Sequence, residues 1–274
     1  MLEKRQGVIN EMWKGWNRPL FLTAMLHFLL TIIFLFFSFF DDRTVLGLNV
    51  WLKPLKFAFS IGIYSITLSW IVGFVESRTV SKRIALWTVV GLWVEMILIA
   101  LQAARGTKSH FNNEDVFGII VYGAMGIFIG LVTFMLVWLT IELAKHRPQQ
   151  WSTLRFTSVQ MGLWLTIVGT LIGGWMSSKT GHVVGGIDGG EGLPFINWST
   201  TLGDYRVSHF MGLHALQVFL LLGLWFDRLR YGRVYIWISF LFYSFLLGLI
   251  FYLTMQAKSM FLWYSLSALV LLLT

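Results

Sequence analysis

A charged or imidazole side chain placed inside hydrocarbon costs about 3 kcal/mol or more unless it is paired or hydrated, so the chemistry of an apolar chain is sought first at such residues. Two lie deep in apolar runs, His27 and Glu95. Gln102 follows Glu95 by seven residues, on the same helical face, and that face continues to Arg105. A carboxylate so placed can accept a proton or bind a ligand. It can equally be an acid kept neutral, or hydrogen-bonded to His27 or to a neighbouring helix's glutamine, as glue between helices. Both uses stay open at this point.

The densest polar series is the run 204–217, Asp-Tyr-Arg-Val-Ser-His-Phe-Met-Gly-Leu-His-Ala-Leu-Gln. At about 100° per residue, His209 and His214 point some 140° apart, so they do not form the i, i+4 pair of a helical zinc site. No metal site is expected. His214 shares a face with Gln217, and Arg206 shares one with His209. His214, with Gly212 two residues before it, has the surroundings of an axial haem ligand, because a small residue lets a porphyrin approach. Its ordinary use is a polar residue satisfied by a backbone carbonyl or by Gln217. A six-coordinate haem b needs a second imidazole, for which His27 is the other deep candidate and His209 a shallower one. His110 and His182 fall in outward loops, and His146 on the cytoplasmic side.

Between the fifth and sixth apolar runs lies a stretch with six glycines in 181–194. Glycine at this density lets backbone N–H groups turn inward to cap a cavity or cradle an anion, with Lys179, His182 and Arg206 nearby. It lacks the Gly-Lys-Ser/Thr ending of a nucleotide-binding loop. Its apolar residues, Ile187, Leu193, Phe195, Ile196 and Trp198, suggest an ordered lid over 177–205 rather than a loose connector.

The elements that must hold these residues are membrane helices. The 274 residues are 57% hydrophobic and 12% charged, with a mean hydropathy of +0.72, too little polar material to coat a soluble globule. Apolar runs predict an all-α, polytopic helical bundle of about eight spans, at 19–40, 55–75, 83–105, 116–144, 154–176, 206–226, 233–256 and 259–274, after an N-terminal segment 1–18. The first run is too long for a cleaved leader and is expected to remain as an anchor. The net charge of +8 comes without any nucleic-acid-binding motif, so nucleic acid is excluded as a partner and lipid is expected. The absence of cysteine excludes disulfides and thiol chemistry. Counted over alternate connections, one side carries 13 Lys and Arg and the other 8, which places both termini in the cytoplasm and the longer loops outside. Trp13, Trp16, Trp51, Trp151, Trp198 and Tyr205, near span ends, read as interfacial anchors.

A weak echo links the halves: Gln102-Ala103 with Lys108-Ser109 after span three, and Gln256-Ala257-Lys258-Ser259 after span seven. Spans so related differ by four, giving parallel repeats and two pseudo-symmetric four-helix halves. A Gly-rich outward loop after span five (Gly181, Gly192), Asn197 and Trp198 before a turn, and a His-bearing sixth span in such a bundle resemble haem A synthase, chiefly over 165–220. That resemblance implies haem-ligating histidines on the second and fourth spans of each half. Only span six supplies them here, through His209 or His214, since spans two, four and eight contain no histidine. The runs 203–217 and 104–112 also resemble a family of uncharacterised bacterial multispan membrane proteins, which implies the bacterial inner membrane.

Three functions remain in play. One is an outward-facing polar pocket that binds haem or a quinone-like redox partner, with His214, His27 and His209 as ligands and Glu95 and Gln102 shaping proton movement. Another is a proton-coupled small-solute transporter or sensor, with Glu95 as the coupling carboxylate and Arg105 and Arg206 on an anionic substrate. The third is an outer-face hydrolase or transferase using His182, Asp188, Asp204 and His209 as acids and bases, without a nucleophile motif.

Overall fold

The computed structural model describes residues 15–179, 181–190 and 192–261. Seven long helices account for most of them: α1 (Arg18–Phe37), α2 (Leu52–Val72), α3 (Arg78–Ala104), α4 (Val116–Lys145), α5 (Thr153–Ser177), α6 (Tyr205–Phe226) and α7 (Gly232–Met255). All seven are long and apolar enough to cross a membrane. The chain is an integral membrane helical bundle. Most of the eighth expected span, at 262–274, and residues 1–14 of the N-terminal segment lie outside the described residues. Residues 259–261 are not helical. Two short hairpin-like pairings complete the structure: β1 (Thr44–Val45) with β2 (Leu48–Asn49), and β3 (Val183–Val184) with β4 (Gly203–Asp204).

In hydrocarbon the only partners for backbone groups are other protein groups, so helix ends must be closed by the chain itself. Five helices open on a side-chain cap: Asn17, Ser77, Asp115, Ser152 and Asp204 each accept a bond from a first-turn amide. α2 starts three residues before the expected 55. Pro54 does not stop it, because the N–H that proline lacks has no intrahelical partner in the first turn.

The chain divides into two compact units, Met1–Gln149 and Gln150–Thr274. In the first, α1 and α2 run antiparallel. Their register is set where Asn17 and Ser69 exchange bonds, Asn17 N to Ser69 O and Ser69 Oγ to Asn17 O, both 2.8 Å, and where the Phe28 ring lies over Gly62. α3 meets α4 at Gly91, beside Val132 and the Phe128 carbonyl. The core between them is Leu55, Ile61, Leu92, Met96, Ile99 and Met125.

In the second unit, α5 and α6 pack backbone to backbone. Gly162, Gly169 and Gly173 share one face of α5. A Cβ on Gly169 would lie 2.6 Å from the carbonyl carbon of Gly212, and one on Gly162 would lie 2.9 Å from Leu216 Cα. Close approach through small residues is how membrane helices gain packing where lipid offers no hydrophobic drive. Phe219, Leu165, Ile236 and Leu247 fill the space towards α7. The outer surfaces of α4 and α7 display Ile119, Ile127, Phe134, Trp237, Phe242 and Phe245, which suits contact with acyl chains.

Two expected interfacial anchors turn inward instead. Trp151 is 2% exposed and Tyr205 is 4% exposed, with the Tyr205 hydroxyl donating to Met255 Sδ at 3.2 Å. Trp51 donates its Nε1–H to Asp41 at 2.8 Å and stacks on Phe34. Trp51 and Tyr205 find partners inside their own units, which a count of aromatic residues near span ends cannot show.

α3 and α7 end alike. After α3, Gly106 is left-handed (φ 70°) and Thr107 N bonds the Gln102 carbonyl; after α7, Ala257 is left-handed (φ 57°) and Lys258 N bonds the Leu253 carbonyl. The two turns share this conformation, but aligning Gly106 with Ala257 sets Gln102 against Leu253 and not against Gln256, so the expected Gln-Ala echo does not coincide with the shared turn.

Candidate functional site

Glu95 sits on α3 at 4% exposure. Its depth follows from the helix rise: nine residues from the C-terminal end of α3 is about 14 Å. The connection 105–115 does not project outward but folds back over the bundle, with Ser109 and Asn112 buried, Phe111 left-handed (φ 54°) and Asn112 packed against Gly118. This fold carries His110 in beside Glu95. His110 Nε2 is 3.7 Å from Glu95 Oε1, beyond hydrogen-bond length but close enough for a charged pair to form. On the other side of the ring, Lys53 Nζ stands 3.1 Å from Nδ1. An ammonium only donates, so Nδ1 accepts and the neutral ring carries its proton on Nε2, facing the carboxylate. Phe57 of α2 and Tyr122 of α4 flank the imidazole at 5.7 and 5.8 Å between ring centroids.

Two buried polar atoms at this place have no hydrogen-bond partner among the described residues, Glu95 Oε2 and Gln102 Nε2. The Gln102 amide oxygen is occupied, accepting from Arg105 at 2.8 Å and from Thr107 Oγ1 at 3.0 Å. Arg105 is held as well, by Asp115 at 3.2 Å and over the Phe117 ring. The Asp115 carboxyl is lowered from its ordinary value, chiefly by the Gly118 amide, against partial burial, with help from Arg105. Glu95, Gln102, Arg105 and His110 thus come together as one cluster. Lys53, read in the sequence only as a loop charge, belongs at its centre. Its place two residues before the expected span, beside Pro54, gave no sign of this.

His27 does not join this cluster. Its Nδ1 donates to the Thr23 carbonyl at 2.8 Å, and its ring lies 4.5 Å from that of Trp93. Trp93 and Glu95 are two residues apart on α3, about 200° around the axis, so the face that meets His27 is not the face that carries the carboxylate. The expected link from Glu95 to His27 is replaced by the one to His110. His27 Nε2 is enclosed and has no hydrogen-bond partner among the described residues.

The second unit gathers the other candidates at the start of α6 and in the Gly-rich segment. Asp204 accepts from Ser199 N at 2.9 Å and from Arg206 N and Nε at 2.9 Å each, while Arg206 also donates to the Asn197 carbonyl at 2.6 Å. Asp188 accepts from the His182 ring at 2.7 Å and from the His182 and Val183 amides at 3.0 Å. These two aspartates tie the Gly-rich segment internally, Asp188 to residues 182–183 and Asp204 to residues 199–206. Partial burial pushes the Asp188 carboxyl up, but the bonds from the His182 ring and the two amides outweigh it and hold it at about 2. A depressed carboxyl stabilises the folded form above its ordinary value near 4, and that contribution fades as pH falls towards 2. Hydrogen exchange at the His182 and Val183 amides should therefore stay slow from neutral pH to about 4 and then quicken, relative to the intrinsic rate, between 4 and 2. Protection unchanged through that range would refute the tie.

His209 bridges α5 and α6: its Nδ1 donates to the Gly169 carbonyl at 2.8 Å and its ring lies against Gly173. His214 packs on Phe210 at 4.2 Å, with Gln217 half-buried one turn on. Among the described residues no group of three or more His, Asp or Glu is placed to hold a metal ion.

No protein-family model, curated protein or solved structure matches this chain. The likeness to haem A synthase accordingly rests on sequence features alone.

Proposed function

We propose that this membrane protein exchanges a proton at Glu95 and couples it to a small ligand bound beneath the 105–115 connection, as a proton-coupled transporter or sensor. One observation carries the reading. A carboxylate at mid-depth in α3 leaves one oxygen without a hydrogen-bond partner and turns the other towards an imidazole whose far nitrogen is held by a lysine. Buried polar atoms are satisfied in the great majority of cases, and one that is not marks a place for a water, an ion or a ligand. Carboxylate, imidazole and ammonium in series also supply the donor and acceptor steps that proton movement needs. The excess of Lys and Arg on alternate connections supports an inner-membrane orientation with cytoplasmic termini, which opens this cluster towards the outside.

The arrangement gives less support to haem. His27 Nε2 is enclosed by protein, the His209 ring lies against Gly173, and the His214 ring rests on Phe210. As packed, each of these rings lies against protein. His182 and Asp188 form an oriented pair, but one spent in tying the lid.

Infrared spectroscopy of the membrane-reconstituted protein tests the reading. A protonated-carboxyl band that rises and falls with pH and disappears in Glu95→Gln is the expected result. A spectrum whose titrating carboxyl bands are the same in the wild type and in Glu95→Gln would remove Glu95 as the exchanging group.

A further inference from the structure

We infer that the turn between α6 and α7 binds an anionic phospholipid, with Arg228, Arg230 and Arg233 on its phosphate and the exposed aromatic residues beside them against its glycerol and upper acyl chains. The site belongs to the second unit and is independent of the Glu95 reading.

Residues 227–231, between the two helices, form the turn from backbone alone. Asp227 N bonds the Gly223 carbonyl at 3.1 Å, Leu229 N the Phe226 carbonyl at 2.9 Å, and Gly232 N the Leu229 carbonyl at 3.2 Å. Gly232 lets the chain double back, since a Cβ there would strike the Phe226 carbonyl. The side chains of Arg228, Arg230 and Arg233 are exposed and take no part in these bonds. Their charge is not spent on the fold.

Nor is it spent on a carboxylate. Asp227, the acid within the turn, accepts from Ser152 Oγ at 2.6 Å and from Arg155 at 3.3 Å. Asp188 and Asp204 belong to the opposite end of α6, a helix of 22 residues and so about 33 Å long. Among the described residues, Arg228, Arg230 and Arg233 make no ion pair, and Arg230 lies over the Tyr231 ring at 5.4 Å. By contrast, Arg43, Arg105 and Lys108 each hold a carboxylate. Three positive charges within six residues are thus left to whatever surrounds the turn.

The surroundings are set by the two spans that end here, which put the turn at the level of the lipid headgroups. Trp225 at the end of α6, Tyr231 in the turn and Trp237 in the second turn of α7 are all exposed. Rings with an apolar body and a polar edge settle at this depth. A guanidinium is weakly hydrated, and its planar fork matches two phosphate oxygens. A zwitterionic headgroup brings its own cation along with its phosphate and leaves the three arginines uncompensated. A headgroup of net negative charge compensates them.

Native mass spectrometry of the full chain in detergent, with equimolar phosphatidylglycerol and phosphatidylcholine of distinct masses, tests the site. Phosphatidylglycerol should be retained in preference. Each arginine near an anionic headgroup contributes about fivefold in affinity, so replacing Arg228, Arg230 and Arg233 together by Gln should lower the preference by up to about a hundredfold. Replacing all three by Lys should keep more of it, because the charge remains and the fork is lost. The same three Gln replacements at Arg78, Lys82 and Arg83, which are also exposed, should change it little. Equal retention of the two lipids by the wild type overturns the proposal. So does an equal loss in the Arg78, Lys82 and Arg83 variant, which would show attraction to net charge anywhere on the chain. Should the triple Gln variant at the turn fail to fold, Arg228→Gln, Arg230→Gln and Arg233→Gln made singly decide instead: each should lose about fivefold and Arg78→Gln nothing.

Discussion

Gly169→Leu should prevent α5 and α6 from closing on one another and leave the second unit unfolded or far less stable, by at least about 3 kcal/mol. A Cβ at this position would stand 2.6 Å from the backbone of Gly212, and no rotamer change moves a backbone. The whole face from Gly162 to Gly173 would have to part, and with it the bond from His209 to the Gly169 carbonyl. Gly174, the neighbour of that seam on α5, has nothing within 4 Å of its Cβ position. Gly174→Leu should therefore be tolerated and, by replacing a poor helix former, slightly stabilising. The midpoint of thermal unfolding in mild detergent, followed by circular dichroism, measures both. Equal losses for the two variants would show that general helix disturbance, not the seam, is at work.

Asp204→Ala is the second large effect, at about 3 kcal/mol. Asp204 is nearly inaccessible and does three things at once. It caps α6 through the Arg206 amide, pairs with the Arg206 guanidinium, and accepts from Ser199 N across the lid. Losing the cap alone costs about 1 kcal/mol. The larger part comes from the guanidinium, three-quarters buried, left without its counter-charge. Asp204→Asn keeps a capping oxygen and should lose less than Asp204→Ala. Unfolding midpoints that agree for the two variants would place the stability in the ion pair and leave none in the cap.

How far these features are visible in the chain itself depends on how local their causes are. The spans were visible because a bilayer demands about 20 apolar residues and the chain shows them. Glu95 was visible as a carboxylate at depth, and its shared face with Gln102 and Arg105 followed from helical spacing. Its partner was not. His110 reaches Glu95 only because 105–115 turns inward, and that turn depends on Phe111 in a left-handed conformation and on the fit of Asn112 against Gly118. The role of Lys53 was hidden for the same reason, since its distance from His110 is a tertiary fact spanning 57 residues. His27 shows the converse. Its depth was right, but a two-residue difference on α3 gives it Trp93 in place of the carboxylate.

The matching turns after α3 and α7 reach beyond the packing of either helix. Counting back from Gly106 and from Ala257 by the same number of residues, Glu95 falls opposite Leu246 and Gln102 opposite Leu253. α7 carries leucine at both positions where α3 carries the groups without hydrogen-bond partners among the described residues. The two turns thus share a shape without sharing chemistry: the helix ahead of Gly106 carries ionisable and amide groups where the helix ahead of Ala257 carries hydrocarbon, and Ala257 adopts a conformation that suits glycine.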